Sequence, residues 1–423
     1  MRCCPSRLFV LTAFLSASLS SPLLAEPSVY RFSVPKGYYG SVWGMVDSKG
    51  HLVGELNYQR LVTSSHGNPD VKRYVARLPN QQYRYLDAKG HPLVESDFEA
   101  AKTFTDEGLA RYQQGALWGY INLEGKSVIP AAYQYASYFS HGLAAVKKNG
   151  TYAYIDTQEN VVIAGPFQEA EAFSASGLAA VKPVGEALFG YINRTGEWVI
   201  EPQFIEAKPF NEDGIAAVEI PNTASELKNL WHFFNGDLKN VKSDTPWGAI
   251  DEQGQWLIKP AFEGLSSFTN GLAVAETANG HWIVNAKGEQ LERSYTREVR
   301  FYPQCNLLKS EIDPELYDFD LVGYEEPNGA SISWLASLNE HCQGIARLNK
   351  QWGIWDQKNS VFTPFPDRYN EPLRRDYLWG RIDDALLIPM VRKDHVLEYI
   401  TLEGKVLFSL KNDDDGHLVA VSP

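Results

Sequence analysis

The sequence predicts an all-β protein: a tandem array of about 8–10 β-hairpin or three-strand repeats of roughly 35 residues, propeller-like or toroidal, with an open β-solenoid as the alternative. Three observations predict it. First, WGYINLEG at 118–125 returns, nearly unchanged, as WGAIDEQG at 247–254. Second, the pattern recurs as WGMVDSKG from Trp43, YRYLDAKG from Tyr83, YAYIDTQE from Tyr152, FGYINRTG from Phe189, HWIVNAKG from His281 and WGIWDQKN from Trp352. Third, the starts are spaced by 40, 35, 34, 37, 58, 34 and 71 residues, a steady period broken by one insertion and one gap of two periods with room for a degenerate copy. A fainter copy, LEYITLEG, begins at Leu397.

Each octet reads as a strand running into a turn. Asp or Asn stands at position five of all eight strong copies, and Gly closes six of them. That pair is the signature of a type I turn, because the short side chain bonds backbone N–H groups ahead of it and Gly accepts positive φ. Along the strand, Trp118 and Tyr120 project to one face while Gly119 and Ile121 project to the other. Glycine weakens a strand, so its recurrence at position two (Gly44, Gly119, Gly190, Gly248, Gly353) implies a recurrent close contact. The leading aromatics, among them Trp43, Trp118, Trp247 and Trp352, are expected to wedge against the adjacent repeat. The array then buries together what one unit cannot bury alone.

The flanks of the octet repeat as well. An apolar pair and often a Pro follow the turn, as in KSVIPAAYQYASYF, EWVIEPQFIEAKPF and QWLIKPAFEGLSSF. A small-residue strand precedes the octet: GLAAVKKNG at 142, GLAAVKPVG at 177, GLAVAETANG at 271 and GIARLNKQ at 344. Short apolar runs bounded by turn residues read as β-strands, roughly three per repeat.

W-G-x-[IV]-[DN]-x-x-G, followed by VIxPxF and GLAxV, resembles the bacterial WG-repeat (KWG-repeat) family. The resemblance covers most of residues 43 to 290, then 344 to 360, and more faintly the C-terminus. Departures are Arg84, Ala153 and Trp282 at the Gly position, Glu159 and Asn359 at the closing Gly, and the stretch 291 to 343. The family implies a β-repeat of binding or scaffolding type and no reaction.

Four segments follow. Residues 1–25 read as a signal peptide, with Arg2 and Arg7 ahead of an apolar run from Leu8 to Leu19 and a small residue, Ala25, at the cleavage point. Residues 26–290 hold WG-type repeats with an insertion at 221–246. Residues 291–343 form a divergent acidic segment with the mature cysteines, and residues 344–423 hold the C-terminal repeats. Export to the periplasm or outside a bacterial cell is expected. There Cys305 and Cys342 either form one disulfide or stay as buried thiols.

The formal net charge of -13 disfavours nucleic acid and anionic membrane surfaces, since neither gains from counterion release against an acidic protein. No segment after the signal is apolar enough to span a bilayer.

Function is less legible. No nucleophile elbow, HExxH pair, Walker loop or dinucleotide fingerprint occurs, so no catalytic residue, cofactor or metal is expected. The recurrent acids Asp47, Asp87, Asp156, Asp251 and Asp356 read as turn formers, since Asn replaces them in other copies. The seven carboxylates between Glu311 and Glu326 lack the alternating ligands of a calcium loop. In the insertion, Ser225 can cap a short helix carrying Leu227, Leu230, Trp231 and Phe234 on one face. Insertions on repeat arrays often mark the binding face. The leading expectation is therefore a non-enzymatic binding or scaffold module for a protein or peptide of the envelope, with Trp231, Phe233 and Phe234 as contacts. A cell-wall or glycan-binding protein using Trp198 and Trp256 as platforms is the alternative, and a glycan hydrolase a third.

Overall fold

The computed structural model describes residues 29–36, 40–64, 72–221, 246–294, 299–302, 307–310, 321–322, 332–335, 342–349, 351–372, 387–394, 396–401, 404–412 and 418–421. Among them every regular element is a strand, and all pairing is antiparallel. The strands form nine small sheets in chain order, one of them seven-stranded and spanning two repeats, which makes ten units. Residues 1–25, expected to be a signal peptide, the insertion residues 222–245, Cys305 and most of 291–343 lie outside the described residues. Strands at Val299–Tyr302, Leu307–Ser310 and Leu321–Val322 pair into a sheet of their own, so the two-period gap does contain a divergent unit.

A complete unit has four strands where three were expected. In the third unit these are Ala100–Ala101, Leu109–Gln114, Leu117–Asn122 and Ser127–Tyr133. The extra strand is two residues long, too short to leave an alternation in the sequence. The octet supplies the third strand, and a register shift bends the fourth away from it between Ser127 and Tyr133.

The turn works as its residues dictate. The Asn122 side-chain oxygen accepts from the N–H of Glu124 at 3.2 Å and of Lys126 at 2.9 Å, and the Gly125 N–H closes the turn on the Asn122 carbonyl at 2.9 Å. Asp47, Asp87, Asp156, Asn193, Asp251 and Asn285 accept the same two bonds. Asp356 departs: its oxygen accepts from the Asn359 N–H, and positive φ falls one residue later, on Ser360.

Positions three and four of the octet build the cores. Tyr120 lies in the core shared with the fourth unit, and Ile121 in the core shared with the second. Tyr154 and Ile155, Tyr191 and Ile192, and Ala249 and Ile250 divide between next and preceding units in the same way. Each of these sheets thus buries both faces, and a side chain so placed contributes about 1.5–3 kcal/mol of apolar burial. Tyr399 and Val46 fall in one core, so the tenth unit packs on the first. Leu387 N–H also donates to the Arg31 carbonyl there, at 2.9 Å.

Candidate binding site

The leading aromatics do lie against the next unit, Trp43, Trp118 and Tyr152 at the rim of the shared core and Phe189, Trp247 and Trp352 within it. Trp43 and Trp118 are half-buried, whereas Trp247 and Trp352 are buried. A cation stands over many of these rings: Arg111 over Trp118 at 6.0 Å, Lys147 over Tyr152 at 5.0 Å, Lys182 over Phe189 at 4.7 Å, Lys208 over Trp247 at 5.5 Å and Arg347 over Trp352 at 5.7 Å. Such contacts contribute on the order of 0.5–1 kcal/mol when exposed, and more when desolvated. They fix the end of the array where the turns into the octets meet the crossovers between units.

Gly119, Gly190, Gly248 and Gly353 face the bend of the fourth strand. A Cβ on Gly119, Gly190 or Gly248 would stand 2.5 Å from the carbonyl oxygen of Ile129, Ile200 or Ile258, and one on Gly353 would stand 2.3 Å from that of Thr363. Gly44 instead makes room for Leu56 and Phe32 side chains.

Trp198 and Trp256, the expected glycan platforms, are half-buried packing residues. Their rings cover Gly190 and Gly248, where a Cβ would meet Cζ3 at 2.8 and 2.9 Å. They also close the cores between units four and five and between five and six. Trp231, Phe233 and Phe234 lie outside the described residues. Cys342 is buried and disulfide-bonded.

Two polar groupings occupy the same end of the array. Between units five and six, Glu206 and Glu219 face each other across a strand pair. Lys208 ion-pairs Glu206, and Lys182 ion-pairs Glu169. Burial pushes the Glu219 carboxyl above its ordinary range, with Glu206 adding to it. Glu171 is raised by burial and then by Glu169.

The second grouping is a cleft of about 320 Å³ between units nine and ten. Its floor is aromatic, from Trp352, Phe365 and Tyr369, all buried. Its rim is polar and exposed, from Asn349, Gln351, Asp367 and Lys393. One wall is held rigidly. The Tyr369 hydroxyl donates to Glu398 at 2.5 Å and accepts from Arg368 at 2.9 Å. Glu398, itself buried, also accepts from Arg392 at 2.9 Å and pairs with Arg368 at 2.9 Å. Two guanidinium groups therefore neutralise the one buried carboxylate, as a buried charge requires. No sequence signal marks this cleft: the repeat pattern accounts for Trp352 as a structural residue, and Asp367 and Lys393 lie in connections that differ from unit to unit.

The family model for the WG containing repeat matches residues 83–118, 118–152, 152–182, 189–222 and 247–282. No curated protein matches the chain. Similar solved structures include a eukaryotic initiation factor, at 11% identity over 91% of this chain and 96% of that one, with a TM-score of 0.42. PorZ of Porphyromonas gingivalis, a surface component of the type-IX secretion system, is similar at 10% identity over 95% of this chain and 60% of its own, with a TM-score of 0.29. The extracellular domain of the one-component system BT4673 of B. thetaiotaomicron matches at 10% identity over 93% of this chain and 57% of its own, with a TM-score of 0.31. This chain therefore spans less than two thirds of either bacterial protein's matched chain. The five successive matches of the family model, on the octets described above, identify the chain as a WG-repeat-containing protein.

Proposed function

We propose that this chain is an exported, non-enzymatic binding or scaffold protein that engages a protein or peptide partner in a bacterial envelope. The observation that carries the reading is a repeat-locked apolar row. Val128, Val162, Val199, Leu257 and Leu291 are each the second residue of the fourth strand in successive units, and they are 36%, 47%, 44%, 42% and 51% exposed. A single exposed aliphatic residue is ordinary, but five at one register along one array make an extended surface of the kind that protein partners cover. The recurrent acids are committed to turns, which leaves the repeated framework suited to holding a partner rather than to chemistry. Export rests on the leader-like segment 1–25. The test is in-cell crosslinking of the tagged protein read by mass spectrometry, comparing it with a Val162→Lys/Val199→Lys/Leu257→Lys variant and with a form lacking 221–246. One discrete envelope protein captured by the parent and lost from the charged variant, at unchanged thermal stability, supports the reading. Equal capture by both removes this surface from it.

A second reading, binding of cell-wall or other glycan, is favoured by the polar-rimmed aromatic cleft between units nine and ten. Sedimentation with purified cell wall tests it.

A further inference from the structure

We propose that the cleft between units nine and ten binds a neutral, hydroxyl-rich sugar ring; this rests on the glycan reading above and names its site. Size is the first argument. At about 320 Å³ the cleft stands at the small end of ligand sites, which run from roughly 300 to 1,000 Å³. It suits one or two compact rings, not an extended peptide.

Charge is the second argument. On the rim, Asp367 and Lys393 offset one another, and in the wall the Glu398 carboxylate is neutralised by Arg368 and Arg392. Asp394 is likewise paired with Arg392, at 2.6 Å. Among the described residues that line or back the cleft, acidic and basic groups are therefore equal in number, which leaves no net charge to hold an ion.

The third argument is hydrogen-bonding chemistry. A hydroxyl both donates and accepts, and the rim presents an acceptor in Asp367, a donor in Lys393, and side-chain amides that do both in Asn349 and Gln351. Beneath them only the edges of the buried Trp352, Phe365 and Tyr369 rings reach the cleft, so its lining is mainly polar with a small apolar floor for ring C–H groups. Bonds from Tyr369 to Glu398 and from the Phe365 N–H to the Trp352 carbonyl, at 2.8 Å, hold that floor before any ligand arrives.

The test uses the full mature chain and three neutral probes, chitotriose, maltotriose and cellotriose, with binding followed by saturation-transfer NMR and intrinsic tryptophan fluorescence. At least one probe is expected to bind, and Gln351→Ala/Asp367→Ala to weaken it tenfold or more with no change in unfolding midpoint. These two side chains are exposed, so their loss leaves the fold intact. Binding of none of the probes, or binding unchanged in the double variant, overturns the proposal. Parallel cell-wall sedimentation separates the two levels. Parent and variant sedimenting alike preserve glycan binding and remove the cleft, whereas neither sedimenting, with no probe bound, removes both.

Discussion

The Tyr399 hydroxyl donates to the Ser33 carbonyl oxygen at 2.6 Å, linking residues 366 positions apart. The same bond recurs between neighbours: Tyr120 to the Ser137 carbonyl at 2.7 Å, Tyr154 to that of Glu171 at 2.7 Å and Tyr191 to that of Lys208 at 2.8 Å, each reaching 17 residues ahead into the next unit. The link that joins successive units therefore also joins the last to the first. A second link repeats there: a Cβ on Gly50 would stand 2.5 Å from the Leu407 carbonyl, as Gly125 crowds Leu93 and Val94 of the unit before it.

Tyr399→Phe should cost about as much stability as Tyr191→Phe, on the order of 1–3 kcal/mol, because each leaves a buried carbonyl without its donor. Urea unfolding of the two variants measures this. A Tyr399→Phe protein with the parent's midpoint would show that the terminal units contribute nothing to each other.

Glycine at position two gives a sharper steric test. Gly248→Ala places a methyl 2.5 Å from the Ile258 carbonyl and 2.9 Å from the Trp256 ring, neither of which can yield without moving the strand. The expected loss is about 1–3 kcal/mol or more, as for other overpacked sites. Unit four carries Ala153 at this position, and its glycine has moved to the facing strand as Gly165, at φ 72° and with its Cβ site 2.4 Å from the Tyr152 carbonyl. Gly165→Ala should therefore destabilise unit four by the larger amount, while Ala153→Gly should cost only about 0.5–1 kcal/mol, the usual penalty for glycine inside a strand. Denaturant midpoints of the three variants check the pattern.

These contrasts show what the sequence could and could not reveal. The turn at Asn122 and the crowding at Gly119 were legible because side-chain chemistry at a fixed spacing dictates them. The link from Tyr120 to Ser137 was not, because its acceptor is a backbone carbonyl that any residue can supply. Trp198 and Trp256 were legible as aromatics after a turn, yet their packing over glycine depends on the bend in the fourth strand. The cleft was hidden for a different reason. Asp367 and Lys393 sit in non-repeating connections, so no periodicity brings them together before the chain folds.

The turn acids carry an acid-side prediction. Hydrogen bonds from Asn160 hold the Asp156 carboxyl below its ordinary range, and the His51 N–H does the same for Asp47. A depressed folded-state value means that the stabilisation is present above the unfolded value near 3.9 and is lost as pH falls through the folded one. Asp156→Asn keeps the two backbone turn bonds but loses the acceptor for the Asn160 side-chain amide, and it removes the titration. It should be the less stable of the two proteins at pH 7, and the difference should close as pH falls below 4. Carboxyl-carbon NMR titration reads the depressed value directly, and an Asp156 that titrates at its ordinary value would refute the assignment.

On the alkaline side the sign reverses, and Tyr133 gives the clearest case. Burial first, and then a 3.0 Å hydrogen bond to Glu159, push its hydroxyl up to about 12. Tyr85, Tyr120, Tyr154 and Tyr191 are raised as well, by burial above all. A raised folded-state value means that the stabilisation is complete below the unfolded value near 10 and is lost as pH rises from there through the folded one. The array should therefore hold its buried tyrosines protonated well past pH 10 and then release them together as it unfolds. Absorbance at alkaline pH would show this as a late, cooperative step following ionisation of the exposed tyrosines. Glu159→Gln removes the neighbouring charge but not the burial, so Tyr133 should titrate earlier than in the parent and still above 10. A value that falls all the way to 10 would make the carboxylate, not the core, the dominant cause. The same variant keeps a non-glycine residue at positive φ (66° in Glu159), so the shift is read without a change in backbone strain.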